Sequence, residues 1–272
     1  MNRRLALLWQ LLRGRTNGAP LGQSLRIIFG PTCGVRAREF IARIETGDDL
    51  KVYFKGIERP LFIPPELPLR MLHQVVTEQF WPHDWHRYEY DGTQLEAADV
   101  VLDCGAAEGL FSFLAAPRCR FVYALEPLPV FVEAMTRTFA DFKNVQILPY
   151  ALSDHAFTGR LSGQGILSTI VEGDAGPGGI DVKTLDQCCN SLPEAVTYLK
   201  ADVEGYELHL LKGGAEFIRK HSPKIAMTTY HNPDHAPAIA AFLKSIHPDY
   251  RITVKGFEGR VGAPIMLHAC RP

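Results

Sequence analysis

Apolar positions in the C-terminal two-thirds of the chain fall into short runs that alternate with stretches of helical spacing. The runs are Val100–Cys104, Phe121–Leu125, 145–150, 196–201, 224–229, 250–254 and 264–269; the helical stretches are 110–116, 129–140, 206–221 and 236–247. This alternation predicts an α/β fold, a doubly wound parallel sheet with helices on both faces. Only a short glycine-containing loop, 256–262, separates the last two runs. So short a loop permits only antiparallel pairing, so the sheet is predicted to end in an antiparallel hairpin.

The first 98 residues show a different pattern. Residues 2–15 put Arg3, Arg4, Arg13 and Arg15 around an apolar centre of Leu5, Leu7, Leu8, Trp9, Leu11 and Leu12. That is an amphipathic helix, docked on its own domain or a second subunit in the plainer reading, or lying on an anionic membrane in the sharper one. Residues 16–34, rich in Gly, Pro, Thr and Asn, read as a linker. Strands are predicted at 35–44, Leu50–Phe54 and Leu61–Ile63, the first two joined at Gly47-Asp48, and a helix at Leu69–Phe80. Residues 1–98 are thus an N-terminal extension of short strands and helices that packs on or caps a domain formed by 99–272.

Composition narrows the setting. The 272 residues are 46% hydrophobic and 22% charged, with a net charge of −1. This suits a chain that builds its own core and offers no general affinity for nucleic acid. The six cysteines are scattered without a C-x-x-C pair, which disfavours a common zinc site and suits a reducing compartment. No apolar run has membrane-spanning length, and no small-residue cleavage site comes after the first apolar stretch. The expected location is the cytoplasm.

The strongest chemical signal is V-V-L-D-C-G-A-A-E-G-L-F-S at 100–112, a buried strand running into a glycine-rich turn and a helix. Gly105 and Gly109 remove side chains where backbone must approach a ligand. Ala107 breaks the G-x-G-x-x-G pattern that presents amides to a dinucleotide pyrophosphate. S-adenosylmethionine has no pyrophosphate; it needs a close backbone and an acceptor for its ammonium group, which Asp103 and the turn from Ala106 to Glu108 can provide. Glu126, with Pro127 after it, ends the second strand, where a carboxylate accepts from both ribose hydroxyls. Leu152 and Ser153 come after the third strand, over the point where the adenine should sit. A NAD-dependent oxidoreductase shares the ribose geometry but not the turn or the hairpin. A non-catalytic scaffold is the other alternative, and the intact turn argues against it.

Two blocks resemble a known family: the 100–112 segment with A-L-E-P-L-P after it, and D-V-K-T-L-D at 181–186 with Y-L-K-A-D-V-E-G-Y-E-L-H-L-L-K-G-G-A at 198–215, then Thr229-Tyr230-His231. Together they are similar to the FkbM-type S-adenosylmethionine-dependent methyltransferases. The resemblance implies a class I methyltransferase, Rossmann-like fold and O-methylation of a hydroxyl on a sugar, glycolipid or natural-product acceptor. It does not extend to residues 1–65.

Methyl transfer to a hydroxyl needs in-line alignment and removal of a proton. Lys200, Asp202 and Glu204 alternate at the end of the fourth strand and share one face if the strand persists. His231 ends the fifth. All four belong to the acceptor edge, with His231 or Asp202 as base. An ion pair of Lys200 with Asp202 or Glu204 is the structural alternative. Asp202 and Glu204 are also oxygen donors suited to a divalent metal, whose presence the sequence leaves open. Asp84-Trp85-His86-Arg87-Tyr88 precedes the catalytic region and suits sugar stacking, a lid, or packing.

Overall fold

The computed structural model describes residues 3–162, 169–173 and 178–271. The extension opens with helices α1 (Arg3–Leu12), α2 (Leu21–Phe29) and α3 (Cys33–Phe40). Next comes an antiparallel sheet of β1 (Ile41–Thr46), β2 (Leu50–Phe54) and β3 (Leu61–Ile63), then α4 (Leu69–Phe80). Two expectations fail here. The linker at 16–34 contains α2, and the strand at 35–44 is mostly α3. Leu21, Leu25 and Ile28 keep helical spacing despite the glycines nearby. Arg36, Ala37, Arg38 and Glu39 favour helix until β-branched Ile41 turns the chain into strand.

The C-terminal region begins with β4 (Val100–Cys104), α5 (Leu110–Ala115), β5 (Phe121–Leu125), α6 (Pro129–Thr138) and β6 (Val145–Leu148). A small second sheet comes next, β7 (Ala151–Ser153), β8 (Phe157–Ser162), β9 (Thr169–Glu172) and β10 (Ile180–Thr184), in the order β7-β10-β8-β9. The chain returns through α7 (Leu185–Ser191), β11 (Tyr198–Ala201), α8 (Glu207–Lys212), α9 (Ala215–His221), β12 (Lys224–Thr228), α10 (His235–Ile246), β13 (Arg251–Lys255) and β14 (Met266–Cys270). The helix expected over 206–221 is split at Gly213-Gly214, where Cβ atoms would overlap the Ser153 carbonyl and Leu185.

The main sheet runs β13-β14-β12-β11-β4-β5-β6. Its strands are parallel except β14, which pairs antiparallel with both β12 and β13. The predicted terminal hairpin is therefore present, with its second strand inserted beside β12. β4 is central and buried along its whole length. Val100, Leu102 and Cys104 face a core with Leu210, Ile218, Ile239 and Leu243; Val101, from the opposite face, packs with Phe111, Ala115 and Val122.

The extension shares a core with the C-terminal region. Val52, Phe54, Leu61, Ile63, Leu72 and Val76 pack with Leu110, Phe113, Phe131 and Met135 in one cluster. The Phe62 amide donates to Thr138 Oγ1 at 2.9 Å, joining β3 to α6. This packing holds α4 and the segment after it over the C-terminal edge of the main sheet.

Candidate active site

Two cavities lie toward the carboxyl ends of the main-sheet strands, one over β4, β5 and β11 and the other beyond the end of β12. The first is lined by Gly105 and Ala107 after β4, Glu126, Pro127 and Leu128 after β5, Leu152 and Ser153 of β7, and Asp202 and Glu204 after β11. The turn after β4 is clamped from β5: the amides of Gly105 and Ala106 both donate to the Leu125 carbonyl at 3.0 Å. Gly105 has φ 73°, and a Cβ there would overlap the Asp202 carbonyl. Only glycine lets the two strand ends approach this closely. Ala107 at φ 47° and Glu204 at φ 52° hold left-handed backbone without being glycine, and such strain clusters at functional sites.

Glu126 is buried and braces two loops. Its Oε2 accepts from the Ala107 amide and its Oε1 from the Leu128 amide, both at 2.9 Å. Burial pushes its carboxyl up to about 7, against the pull of those two amides. Each oxygen keeps a further lone pair for a ligand hydroxyl. The far wall is apolar and comes from the unforeseen second sheet: Phe157 of β8, Ile170 of β9 and Val182 of β10 join Leu152.

Other turn residues stand behind the wall. Asp103 is fully buried; its Oδ2 accepts from Ser112 Oγ at 2.6 Å and its Oδ1 lies 2.8 Å from Lys200 Nζ. The sheet register places Lys200 directly beside Asp103. Lys200 Nζ also donates to the Gly105 carbonyl at 2.7 Å. Lys200 therefore fixes the glycine turn from below and does not reach the acceptor edge, nor does it pair with Asp202 or Glu204. The cause is that β11 ends at Ala201, so the predicted strand alternation of Lys200, Asp202 and Glu204 stops after its first member. Gly109, at φ 81°, serves packing: its Cβ would stand 2.9 Å from Met135 Cγ of α6. Ala106 belongs to the same packed cluster as Leu110. Glu108 is buried, and burial raises its carboxyl to about 7.

The second cavity, about 900 Å³, does not touch Asp202 but is lined by His86, whose Nε2 is 3.9 Å from Asp202 Oδ2. It is walled by α1, α2 and α4 of the extension, by Trp85 and His86, by Tyr230 and His231, and by the loop from Phe257 to Val261. His231 is held between two carboxylates, with Nδ1 3.2 Å from Glu207 Oε1 and Nε2 3.2 Å from Glu204 Oε2. Burial alone would lower its pKa, but Glu204 and Glu207 reverse this and raise it to about 10. His86 is similar: Nδ1 is 3.0 Å from Glu78 Oε2 and Nε2 is 3.9 Å from Asp202 Oδ2. Burial again opposes the charge, and Glu78, Asp202 and Asp84 carry the pKa to about 9.

Asp202 lies between these two imidazolium groups. Tyr88 donates to its Oδ2 at 2.9 Å and Thr228 to its Oδ1 at 3.1 Å. Burial would raise its pKa; His86, Lys200, His231 and the Tyr88 hydroxyl outweigh that and hold it below the usual carboxylate range. The sequence motif therefore contributes an ionised Asp202, with Glu207 as the anchor of His231. The sequence singles out the segment 84–88 but not its partners: His86 and Tyr88 reach Asp202, and Glu78 reaches His86, only through the folding of the extension.

Asp202, Glu207 and His231 also place one potential donor each within 4.8 Å of one another. Each already has partners inside the protein: Tyr88 and Thr228 on Asp202, the Val203 and Gly205 amides on Glu207, and two carboxylates on His231. The protonated imidazole offsets one of the cluster's two carboxylate charges. The metal pair considered from sequence, Asp202 with Glu204, is not the one assembled, since Glu204 turns outward to His231 with 80% of its side chain exposed.

The geometry agrees with comparisons to known proteins. The Methyltransferase FkbM domain profile matches residues 103–251. Among solved structures, a methyltransferase FkbM from Methylobacillus flagellatus KT is 19% identical with a TM-score of 0.51; the match covers 76% of this chain and 56% of that one. The fibrillarin/Nop5p complex (18% identity, 65% and 75% coverage, TM-score 0.42) and an rRNA methylase from Streptococcus thermophilus (10%, 65% and 89%, 0.42) are more distant. No curated protein matches the sequence. The profile spans more than half of the chain and includes the β4 turn, Glu126, Asp202 and His231; the protein belongs to the FkbM methyltransferase family.

Proposed function

We propose that the protein is an S-adenosylmethionine-dependent O-methyltransferase whose acceptor is a hydroxyl of a sugar, glycolipid or related natural product. The observation that carries this reading is the ionised Asp202 in the lining of the cofactor-shaped cavity, reached at 3.9 Å by His86 from the wall of the roomier second one.

The first cavity suits the cofactor. Its Gly105 wall leaves bare backbone for the methionine portion, its Glu126 carboxylate faces a ribose, and its apolar Leu152, Phe157 and Val182 suit an adenine. When bound, S-adenosylmethionine supplies a sulfonium-activated methyl group. Asp103 and Lys200 support the turn, while Glu126, Leu152 and Ser153 would hold the cofactor. The second cavity has the size of a small-molecule site and aromatic walls for a sugar face.

An acceptor hydroxyl must lose its proton as the carbon–oxygen bond forms. His231 and His86 are both cationic at neutral pH, so neither begins as a base. Asp202 is the ionised group between them. It accepts the proton, and the flanking imidazolium charges favour a hydroxyl that is becoming an alkoxide. Of the two candidate bases, His231 thus becomes a charge-stabilising and positioning group, fixed by Glu204 and Glu207.

The test is twofold. Calorimetry should show binding of S-adenosylhomocysteine and none of NAD; the reverse preference sinks the reading. Labelled S-adenosylmethionine incubated with pooled glycolipid and sugar acceptors should then yield an ether-linked methyl group, absent with Asp202→Asn. A product labelled on nitrogen or carbon would retain the methyltransferase and reject the O-acceptor.

A further inference from the structure

Ten large apolar side chains stand exposed among the described residues, and six lie on α1 and α2. They are Leu5, Trp9 and Leu12 on α1, and Leu21, Leu25 and Phe29 on α2. Each set has helical spacing and forms one stripe. The two helices pack against each other, and each uses a different face for the protein: Ala6, Leu7 and Gln10 are buried on α1, Ser24 and Ile28 on α2. Helix α1 is thus both docked on its own domain and apolar on its outer side. Exposed apolar surface concentrated in this way marks a contact site.

Charge identifies the partner. The first 38 residues contain seven arginines, no lysine and no acidic residue. Six of the seven, Arg3, Arg4, Arg13, Arg15, Arg26 and Arg38, are exposed, while Arg36 is buried under a stack with Trp81. Arg13 lies 5.2 Å from the centroid of the exposed Trp9 ring, a pairing of apolar body and cationic tip suited to a headgroup layer. A second copy of the chain would face this surface with the same excess of arginine, which disfavours self-association across it. An anionic bilayer matches both the apolar stripes and the basic rim.

We propose that α1 and α2 form a docking surface for an anionic lipid bilayer. The same helices give Arg3, Ala6, Leu7 and Ile27 to the wall of the second cavity. Docking therefore brings that wall to the lipid interface, where a lipid-borne hydroxyl is presented. This last step rests on the acceptor reading above; the docking itself does not. No helix among the described residues is long and apolar enough to cross a membrane, so the contact is peripheral.

Flotation of the full chain with vesicles tests the proposal directly. Binding should be at least about tenfold stronger to phosphatidylcholine vesicles containing about one-third phosphatidylglycerol than to phosphatidylcholine alone, and should weaken with salt. A Leu5→Glu, Trp9→Glu, Phe29→Glu variant should lose that binding about tenfold or more while keeping its S-adenosylhomocysteine affinity. A second variant, Arg13→Glu with Arg38→Glu, leaves the apolar stripes intact and should also bind anionic vesicles more weakly. Equal binding to both vesicles, or unchanged binding by either variant, overturns the proposal. So does a wild-type dimer that binds no vesicles and is dissociated by the apolar variant, because a second copy then covers the face. Vesicle binding and methyl transfer are separate readouts, so failure of the acceptor assignment leaves this result interpretable.

Discussion

The two cavities are built on opposite principles. The first is a matter of backbone. Its essential features are a glycine that lets two strand ends touch, two left-handed turns, and a carboxylate tied to two amides. Most of it comes from one continuous stretch of sheet edge. The second is a matter of side-chain charge. Its wall carries Glu78, His86 and His231, which connect to Asp202 and Glu207 behind it; the five come from α4, the loop after it, the ends of β11 and β12, and the start of α8. A site made of backbone holds one ligand shape. A site made of opposed charges stores the means to move a proton. The difference predicts which substitutions disable binding and which disable turnover.

The sharpest separation should come from Asp202→Asn. Removing the ionised carboxylate should cut methyl transfer by about 100- to 10,000-fold. S-adenosylhomocysteine affinity, measured by calorimetry, should change only a few fold, because Asn keeps the shape of this part of the first cavity's lining and can still accept from Tyr88 and Thr228. Comparable losses in both would place Asp202 in cofactor binding and erase the distinction. His231→Ala should lower turnover less, since it removes a stabilising charge and leaves the base.

Gly105→Val attacks the other principle. The new side chain meets the Asp202 carbonyl and must adopt left-handed backbone. Strain and overlap of this kind cost about 2–5 kcal/mol, so the expected result is a lower melting temperature together with lost cofactor binding. A variant that melts like wild type and binds S-adenosylhomocysteine normally would show that the close approach is not required.

These contrasts also explain what the sequence discloses. Strands β2 to β5 and helix α4 have the predicted bounds because proline, glycine or a change of period marks both ends. Glu126 is legible because a strand end with an acidic residue after it is a local pattern. Lys200 is misplaced by sequence reasoning because its partner, Asp103, is a neighbour in register and not in sequence. The wall of Phe157, Ile170 and Val182 escapes it because the strands are only three to six residues long and β10 pairs back to β7 past two intervening strands. The His86–Asp202 contact spans more than a hundred residues, and no local spacing announces it. The backbone-made cavity can be read in large part; the charge-made cavity has to be folded first.

Glu126→Ala should weaken S-adenosylhomocysteine binding by about 1.5–3 kcal/mol, the range for hydrogen bonds to a charged group. The pH dependence adds a sharper test. With its carboxyl at about 7, Glu126 is largely neutral below that pH and loses acceptor capacity for ribose hydroxyls. Affinity should therefore rise from pH 6 to pH 8 and then level off. Glu126→Gln should flatten the rise. A pH-independent wild type would mean that Glu126 braces the loops without holding the ligand.

The smallest expected effect lies in stability, where the two cavities should act in different pH windows. Glu126 and Glu108 have folded pKa values near 7, above the ordinary carboxylate value. The folded state then holds their protons more tightly than the unfolded one. Their contribution is present below the unfolded pKa and is lost as pH rises through about 7. His86 and His231 are raised from 6.5 to about 9 and about 10. Their contribution is complete below 6.5 and is lost as pH rises through 9 to 10, when the imidazolium charges facing Glu78, Glu204 and Glu207 disappear. Urea unfolding between pH 7 and pH 9.5 should thus show a further decline, on the order of 1 kcal/mol per histidine, because titration is incomplete at the upper limit and water screens part of each pair. His231→Gln should remove its share of this alkaline decline and leave the loss between pH 5 and pH 7 unchanged. S-adenosylhomocysteine should do the reverse, altering the acidic window by engaging Glu126 while the alkaline slope persists. If one substitution or one ligand shifts both windows together, the two cavities titrate as a single network, and the division between a backbone-made and a charge-made site fails.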